Sequence, residues 1–240
     1  MKRAALAASA LSLMSLTTLT ACGGDTDADA AADKPQPTAS PAKQVTPAER
    51  LAKLVITKAD VPGLDVKSPS EPDDTYVFAK SPDDVTVDKP VCAPLAHAMN
   101  QLAVGSPVTD LTRHVPQSDR FTYITLMLYS APGKAESAFS GLSKGVDARG
   151  DGFTAKAKGS TVYDSVTAEK PVARAGEESL AFRATTTFRG ITHTMHTQAV
   201  HKGDVVAVYF SVNGTAMIQD RPGDAKLPAA VVKAQNAKLG

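Results

Sequence analysis

The chain has 240 residues, of which 26 are lysine or arginine and 25 are aspartate or glutamate, for a formal net charge of +1. No stretch gathers basic residues as a nucleic-acid-binding surface does, so the composition excludes nucleic acid as a partner. A chain of this length, without tryptophan, has room for one ordinary domain with a real core.

The first 21 residues have the layout of a secretory signal, with basic Lys2 and Arg3 followed by an uncharged run of small and apolar residues. Residues 19–22 read Leu-Thr-Ala-Cys and resemble the lipobox of bacterial lipoproteins. In that family the cysteine is diacylated and the chain is cut just before it. The resemblance implies that Cys22 is lipidated, with palmitate-like chains anchoring the protein on the extracytoplasmic face of the cell membrane. An ordinary signal peptide with a chance cysteine is the alternative.

Residues 22–45 are rich in Gly, Ala, Asp, Pro, Ser and Thr and offer almost nothing to bury, which predicts a flexible tether. The predicted organisation is a signal peptide at 1–21, a lipidated tether at 22–45 and a single domain at 46–240. Removal of the signal removes Lys2 and Arg3 and leaves 24 basic against 25 acidic residues, a formal charge of −1. With Cys22 lipidated, Cys92 has no disulfide partner.

The domain opens with a predicted helix from a capping box at Thr46-Pro47-Ala48-Glu49 to about Ile56. Short strands are predicted at Leu64–Val66 and Thr75–Ala79. The next helix carries Cys92 on an apolar stripe with Leu95, Met99 and Leu102, which favours a buried, inert thiol over a nucleophile.

A strand is predicted at 120–130, with Ile124, Leu126 and Leu128 on one face, and an amphipathic helix at 132–146. That helix contains Gly141–Gly145, a literal G-x-S-x-G match. A serine nucleophile needs a strand-to-turn-to-helix context, so the match does not predict a hydrolase. A strand at 160–168, three further strands and a C-terminal helix from about Leu227 complete the predicted elements.

Residues 191–204, "ITHTMHTQAVHKGD", hold His193, His196 and His201. Gly-ended two-residue turns lie just before this stretch, at 189–190, and near its end, at 202–203, and together they predict a three-stranded meander. In that register Phe188 faces Ile191 and His201 faces Asp204. Because side chains alternate along a strand, the three histidines do not converge, so we predict neither a metal site nor a cofactor.

The same register separates an apolar from a polar face. The apolar face collects Leu180, Phe182, Ala184, Met195, Ala199, Val206, Val208 and Phe210. On the polar face Arg183 faces His196, and His196 faces Tyr209. Tyr123 joins them if strand 120–130 enters the sheet with its apolar face inward. Such a face is typical of a site for a small polar or glycan-like ligand, and a plain solvated sheet face is the alternative.

These patterns predict an α+β domain, with a mostly antiparallel sheet and helices packed on one face. The phrases "KADVPGLDV" and "VCAPLAHAM" and the C-terminal meander resemble small secreted lipoproteins and extracellular sensor domains of actinobacteria, which implies a non-enzymatic envelope protein. Three functions stay open. They are a ligand-binding or sensing lipoprotein using Arg183, His196, Tyr209 and Tyr123, an envelope protein–protein interaction module, and a cell-envelope hydrolase. The spacing brings no catalytic pair together for the hydrolase.

Overall fold

A computed structural model describes residues 45–69, 79–148 and 152–240, which belong to a compact unit spanning 43–240. The predicted signal peptide, Cys22 and the tether up to residue 44 lie outside the described residues. The elements, in chain order, are α1 (Pro47–Leu54), β1 (Thr86–Val87), α2 (Ala93–Met99), β2 (Thr109–Pro116), β3 (Phe121–Leu128), α3 (Pro132–Asp147), β4 (Phe153–Lys156), β5 (Ser160–Tyr163), β6 (Ser165–Glu169), β7 (Glu178–Phe188), β8 (Ile191–Lys202), β9 (Val205–Val212), α4 (Gly214–Ile218), β10 (Gly223–Ala225) and α5 (Ala229–Leu239).

The strands form two sheets. The larger sheet has the order β2-β3-β9-β8-β7-β6 with all neighbours antiparallel, and the short β10 adds to it by pairing parallel to β8. The smaller sheet, β1-β4-β5, is antiparallel throughout. The predicted α+β class with a mostly antiparallel sheet is therefore confirmed.

Helices pack on both faces of the larger sheet, whereas the sequence predicted them on one face. α2 and α3 cover a first core that contains Phe182 and Val208. α1 and α5 cover a second core that contains Leu126 and Tyr209. The physical reason is that the central strand β9 is buried on both sides, from Val205 to Ser211, so each face of the sheet needs its own cover.

α1 begins at the predicted capping box, in which the Thr46 hydroxyl accepts from the Glu49 backbone N–H and the Glu49 carboxylate accepts from the Thr46 backbone N–H. The helix ends at Leu54, and the side chain of the buried Gln235 of α5 makes hydrogen bonds with the backbone there. Its Oε1 accepts from Ile56 N at 2.9 Å and its Nε2 donates to Leu54 O at 2.8 Å. This side chain ties the first helix of the domain to the last.

The β7–β8 hairpin has the predicted register, with Phe188 facing Ile191. Its turn residues Arg189 and Gly190 both have positive φ, 51° and 79°, as a type I′ turn requires. The predicted turn at 202–203 between β8 and β9 is wrong by one position. The turn is Gly203-Asp204, so Lys202 faces Val205.

The shifted turn moves the β8–β9 register by two residues, so His196 faces Ser211 and not Tyr209. Gly203, with φ +56°, suits the first central position of a type II′ turn, where glycine is favoured. Because side chains repeat every second residue, a two-residue shift leaves each side chain on its predicted face. The predicted apolar face accordingly lines the first core.

β3 enters the sheet the other way round from the prediction. Ile124, Leu126 and Leu128 do share one face, but that face belongs to the second core. Tyr123 faces Phe210 on the side of the first core. The prediction that Tyr123 joins the Arg183 face is therefore wrong, because both faces of β3 are buried and its aliphatic residues do not mark the first core.

Several smaller differences concern the connections. Leu64–Val66 forms no strand, although Lys67 makes an isolated bridge with His114. The predicted strand at 75–79 lies outside the described residues apart from Ala79. The predicted strand at 160–168 is two strands, β5 and β6, that pair with different partners.

Cys92 and the G-x-S-x-G match at residues 141–145, the two features that could have indicated a nucleophile, lie in the predicted surroundings. Cys92 is buried and free, and burial raises the pKa of its thiol. Residues 141–145 lie inside α3, with Leu142 in the first core.

Candidate functional site

Two of the four predicted ligand-binding residues come together. Arg183 of β7 faces His196 of β8, as predicted. Tyr209 lies two residues before Ser211 on β9 and faces Gln198 instead of His196. Tyr123 lies on the opposite face of the sheet, on the side of the first core.

His196 is the centre of the site and is held by a carboxylate on each side. Its Nδ1 lies 2.8 Å from Oε2 of Glu169, and its Nε2 lies 2.6 Å from Oδ1 of Asp224. The residue is 8% exposed. Ionised carboxylates only accept hydrogen bonds, so both contacts are hydrogen bonds only when the imidazole carries a proton on each nitrogen. The geometry fits an imidazolium cation between two anions.

The change of partner strand along β8 positions this arrangement. β9 pairs with β8 from His196 to Lys202, and β10 pairs with it from His193 to Met195. Asp224 is the middle residue of β10 and pairs in parallel with Thr194, which puts its carboxylate on the His196 face. His196 therefore sits at the seam between the two partner strands.

Glu169 reaches His196 from the other side. It is the last residue of β6 and pairs with Ala181 of β7. Its second oxygen, Oε1, lies 3.6 Å from Nη1 of Arg183. The row Arg183–Glu169–His196–Asp224 thus alternates in charge and joins strands β6, β7, β8 and β10.

A cleft of about 360 Å³ opens beside this row, and we call it the His196 cleft. It is at the small end of the range for ligand pockets. Its lining residues are Glu169, Lys170, Val172, Ala181, His196, Thr197, Lys226 and Leu227.

The remainder of the predicted polar face is taken up by internal hydrogen bonds. The Tyr209 hydroxyl donates to Oδ1 of Asn236 in α5 at 2.6 Å, and burial raises the pKa of Tyr209. Gln198 donates to the carbonyl of Ala173 at 2.7 Å and accepts from the backbone N–H of Val172 at 2.8 Å. Tyr209 is therefore fully buried beneath α5, and Gln198 fixes the segment that walls the cleft.

The other two histidines of β8 lie apart from His196. His193 points to the opposite face and is buried, and neither of its ring nitrogens has a hydrogen-bond partner among the residues that the structure describes. His201 lies at the β8–β9 turn, with Nδ1 3.2 Å from Glu178 and Nε2 2.9 Å from the Gly203 carbonyl oxygen. Among residues 45–69, 79–148 and 152–240, no three metal-ligating side chains are grouped to hold an ion.

Sequence reasoning missed Glu169, Asp224 and the two lysines of the cleft. Glu169 could have been found by extending the β7 register to the preceding strand, which pairs Glu169 with Ala181. Asp224 gives no local signal, because β10 is three residues long and its partner is remote in sequence.

No protein-family model matches the chain, and neither does any curated protein. Among solved structures, the chain is similar to the extracellular domain of PknH from Mycobacterium tuberculosis, with 12% identity, a TM-score of 0.49, and coverage of 82% of this chain and 95% of that one. It is also similar to a putative uncharacterized protein, an Rv0999 ortholog, from Mycobacterium smegmatis, with 10% identity, a TM-score of 0.40, and coverage of 74% and 90%. At these levels neither structure indicates a function for this chain. Among the described helices, none combines the length and the apolar character needed to cross a membrane.

Proposed function

We propose that this protein is a membrane-anchored extracytoplasmic lipoprotein whose domain binds or senses a small ligand without catalysing a reaction, and that the His196 cleft is its ligand site. The observation that carries the proposal is the cleft itself, which opens beside a charged row whose members are held in place by one another. A site fixed in advance loses little conformational entropy on binding.

Binding is favoured over catalysis by the state of His196. Both of its ring nitrogens are engaged by carboxylates, so neither is free to accept a proton from a substrate. A general base must be within hydrogen-bond reach of the proton that it removes. This arrangement suits a rigid, charged wall of a binding site.

The ligand site is tested by a thermal-shift screen of metabolites and glycans with the mature chain. The matched variants are Val172→Asp, at an exposed valine of the cleft, and Val108→Asp, at an exposed valine that precedes the opposite edge strand β2. A ligand-induced rise in Tm that is lost in the first variant and kept in the second supports the proposal. A rise retained in Val172→Asp, or a silent screen with a crosslinked protein partner on cells, contradicts it and favours an interaction module.

The anchor is tested separately, because it depends on Cys22 and not on the fold. Cys22→Ala should abolish incorporation of labelled palmitate and release the protein from the membrane fraction. Unchanged labelling in that variant would exclude Cys22 as the lipidated residue.

A further inference from the structure

The His196 cleft is bordered by more cations than carboxylates. Lys170 and Lys226 line it, and Arg183 borders it through Glu169. Among the described residues, the carboxylates that oppose them are Glu169 and Asp224, and both are already bound to His196. The surplus is one positive charge with His196 neutral, and it is two when the imidazole is protonated.

Lys170 and Lys226 are the cations of the cleft that are available to a ligand. Neither the Lys170 nor the Lys226 ammonium group makes a hydrogen bond or an ion pair with a side chain or backbone group in the part of the chain that the structure describes. Both residues are exposed. An ammonium group with no internal partner can donate to an incoming anion without first breaking a contact.

The floor of the cleft is apolar. Ala181 and Leu227 are buried beneath it, and Val172 is 41% exposed at its rim. A ligand that covers Val172 removes apolar surface from water, which favours binding. The volume of about 360 Å³ corresponds to about a dozen water-sized groups, so one short chain fits.

We propose that the His196 cleft binds an amphipathic anion, with a carboxylate or phosphate head at Lys170 and Lys226 and a short apolar body on Val172, Ala181 and Leu227. This inference rests on the proposed function, since it names the ligand class of the same site. The head group can belong to a free molecule or to a membrane lipid, and the two sources share the same recognition chemistry.

The test uses four six-carbon probes and two vesicles on the mature chain. Hexanoate and hexyl phosphate carry the anion, while hexanol and hexylammonium match the apolar body without it. Binding is followed by amide chemical shifts of cleft residues and by calorimetry. Vesicles of phosphatidylglycerol, with phosphatidylcholine vesicles as the neutral control, represent the membrane source. We expect both anionic probes to shift the cleft amides, and hexylammonium to leave them unchanged.

The variant K170Q/K226Q should weaken hexanoate binding about tenfold or more, which corresponds to about 1.4 kcal/mol. The control K134Q/K144Q makes the same change in net charge on α3, which packs on the opposite face of the sheet, and should bind hexanoate as the parent does. All four lysines are exposed, so both variants should fold. Preference for phosphatidylglycerol vesicles over the free anions would assign the head group to a lipid, and the reverse would assign it to a soluble molecule.

Three results overturn the inference. If hexanol or hexylammonium binds as tightly as hexanoate, the cleft does not select an anion. It would still be a ligand site, so the proposed function would survive. Equal weakening in the two lysine variants would show a general charge effect and no head-group site. If no probe or vesicle shifts a cleft amide, the ligand class is wrong, and the proposed function is then decided by the broad screen with Val172→Asp.

Discussion

At the scale of single residues, His196 connects three strands of the larger sheet, β6, β8 and β10. Its two ring nitrogens connect β8 to β6 through Glu169 and to β10 through Asp224. Hydrogen bonds that involve a charged partner are shorter and stronger than neutral ones. The side chain is therefore expected to contribute to the stability of the domain as well as to the wall of the cleft.

His196→Ala should lower the free energy of unfolding by about 2–4 kcal/mol, because two charge-assisted hydrogen bonds are lost and two carboxylates are left near each other without the ring. Urea denaturation followed by circular dichroism gives the value. A change below about 0.5 kcal/mol would mean that the two contacts contribute little.

At the scale of elements, α3 shows why a motif needs its structural context. Gly141 and Gly145 of the G-x-S-x-G match face different surroundings. A Cβ at Gly145 would lie 2.8 Å from Cγ of Leu95 and 3.0 Å from the Val91 carbonyl oxygen. A Cβ at Gly141 would meet Pro94 at an ordinary 3.5 Å. Gly145 thus allows α3 to approach α2 closely, and Gly141 does not have that role.

Gly145→Ala should destabilise the domain by about 1–2 kcal/mol, since overpacking outweighs the gain in helix propensity. Gly141→Ala should instead stabilise it by about 0.5–1 kcal/mol, because only the gain in propensity applies. Paired denaturation curves check the two signs. Equal effects from the two substitutions would contradict the close approach of α3 to α2.

At the scale of the whole molecule, the start of the domain is joined to the β8–β9 turn by an ion pair. Arg50 of α1 makes two hydrogen bonds of 2.6 Å with the carboxylate of Asp204 in the β8–β9 turn. The Arg50 guanidinium lowers the pKa of Asp204 below its usual range. A depressed carboxyl pKa stabilises the fold above the unfolded value of about 3.9, and this contribution is lost as the pH falls through the folded pKa.

Arg50→Ala should therefore lower the free energy of unfolding at pH 6, by up to about 1 kcal/mol for a half-exposed pair, and by much less at pH 2.5. Lys233→Ala, at an exposed lysine of α5 that makes no ion pair in the described part of the chain, serves as the control and should show no such dependence on pH. Urea titrations at the two pH values give the comparison. A loss of equal size at both would show that Arg50 acts by packing alone.

The sequence predicts best what is local. The meander could be predicted because its turn residues and the alternating apolar and polar side chains of β7 and β8 lie close together in sequence. Phe188, Gly190 and Ile191 fix the first turn. Residues 202–203 and residues 203–204 are both compatible with a two-residue turn that contains Gly203, which explains the one-position error in the predicted turn. The wrong face for Tyr123 has another cause, because a strand buried on both sides carries no pattern that tells the two cores apart.

The candidate site could be predicted only in part, for a related reason. The Arg183–His196 pair follows from one hairpin register. Asp224 reaches His196 across 28 positions of sequence and Glu169 across 27, and which segments come that close is decided by the packing of the whole chain. Tyr209 shows the converse limit, since a polar side chain on the predicted face is used to hold α5.

The seam in β8 at His196 has a consequence for local opening of the native state. β10 has three residues and pairs only with the part of β8 that β9 does not reach. Short segments with few contacts open without unfolding the rest, while central strands exchange their amide hydrogens only on global unfolding. Hydrogen exchange in Gly223–Ala225 is thus set by the release of three residues beside Lys226. These amides form a natural gauge of whether the cleft is occupied, and a bound molecule should slow their exchange before it alters that of β9.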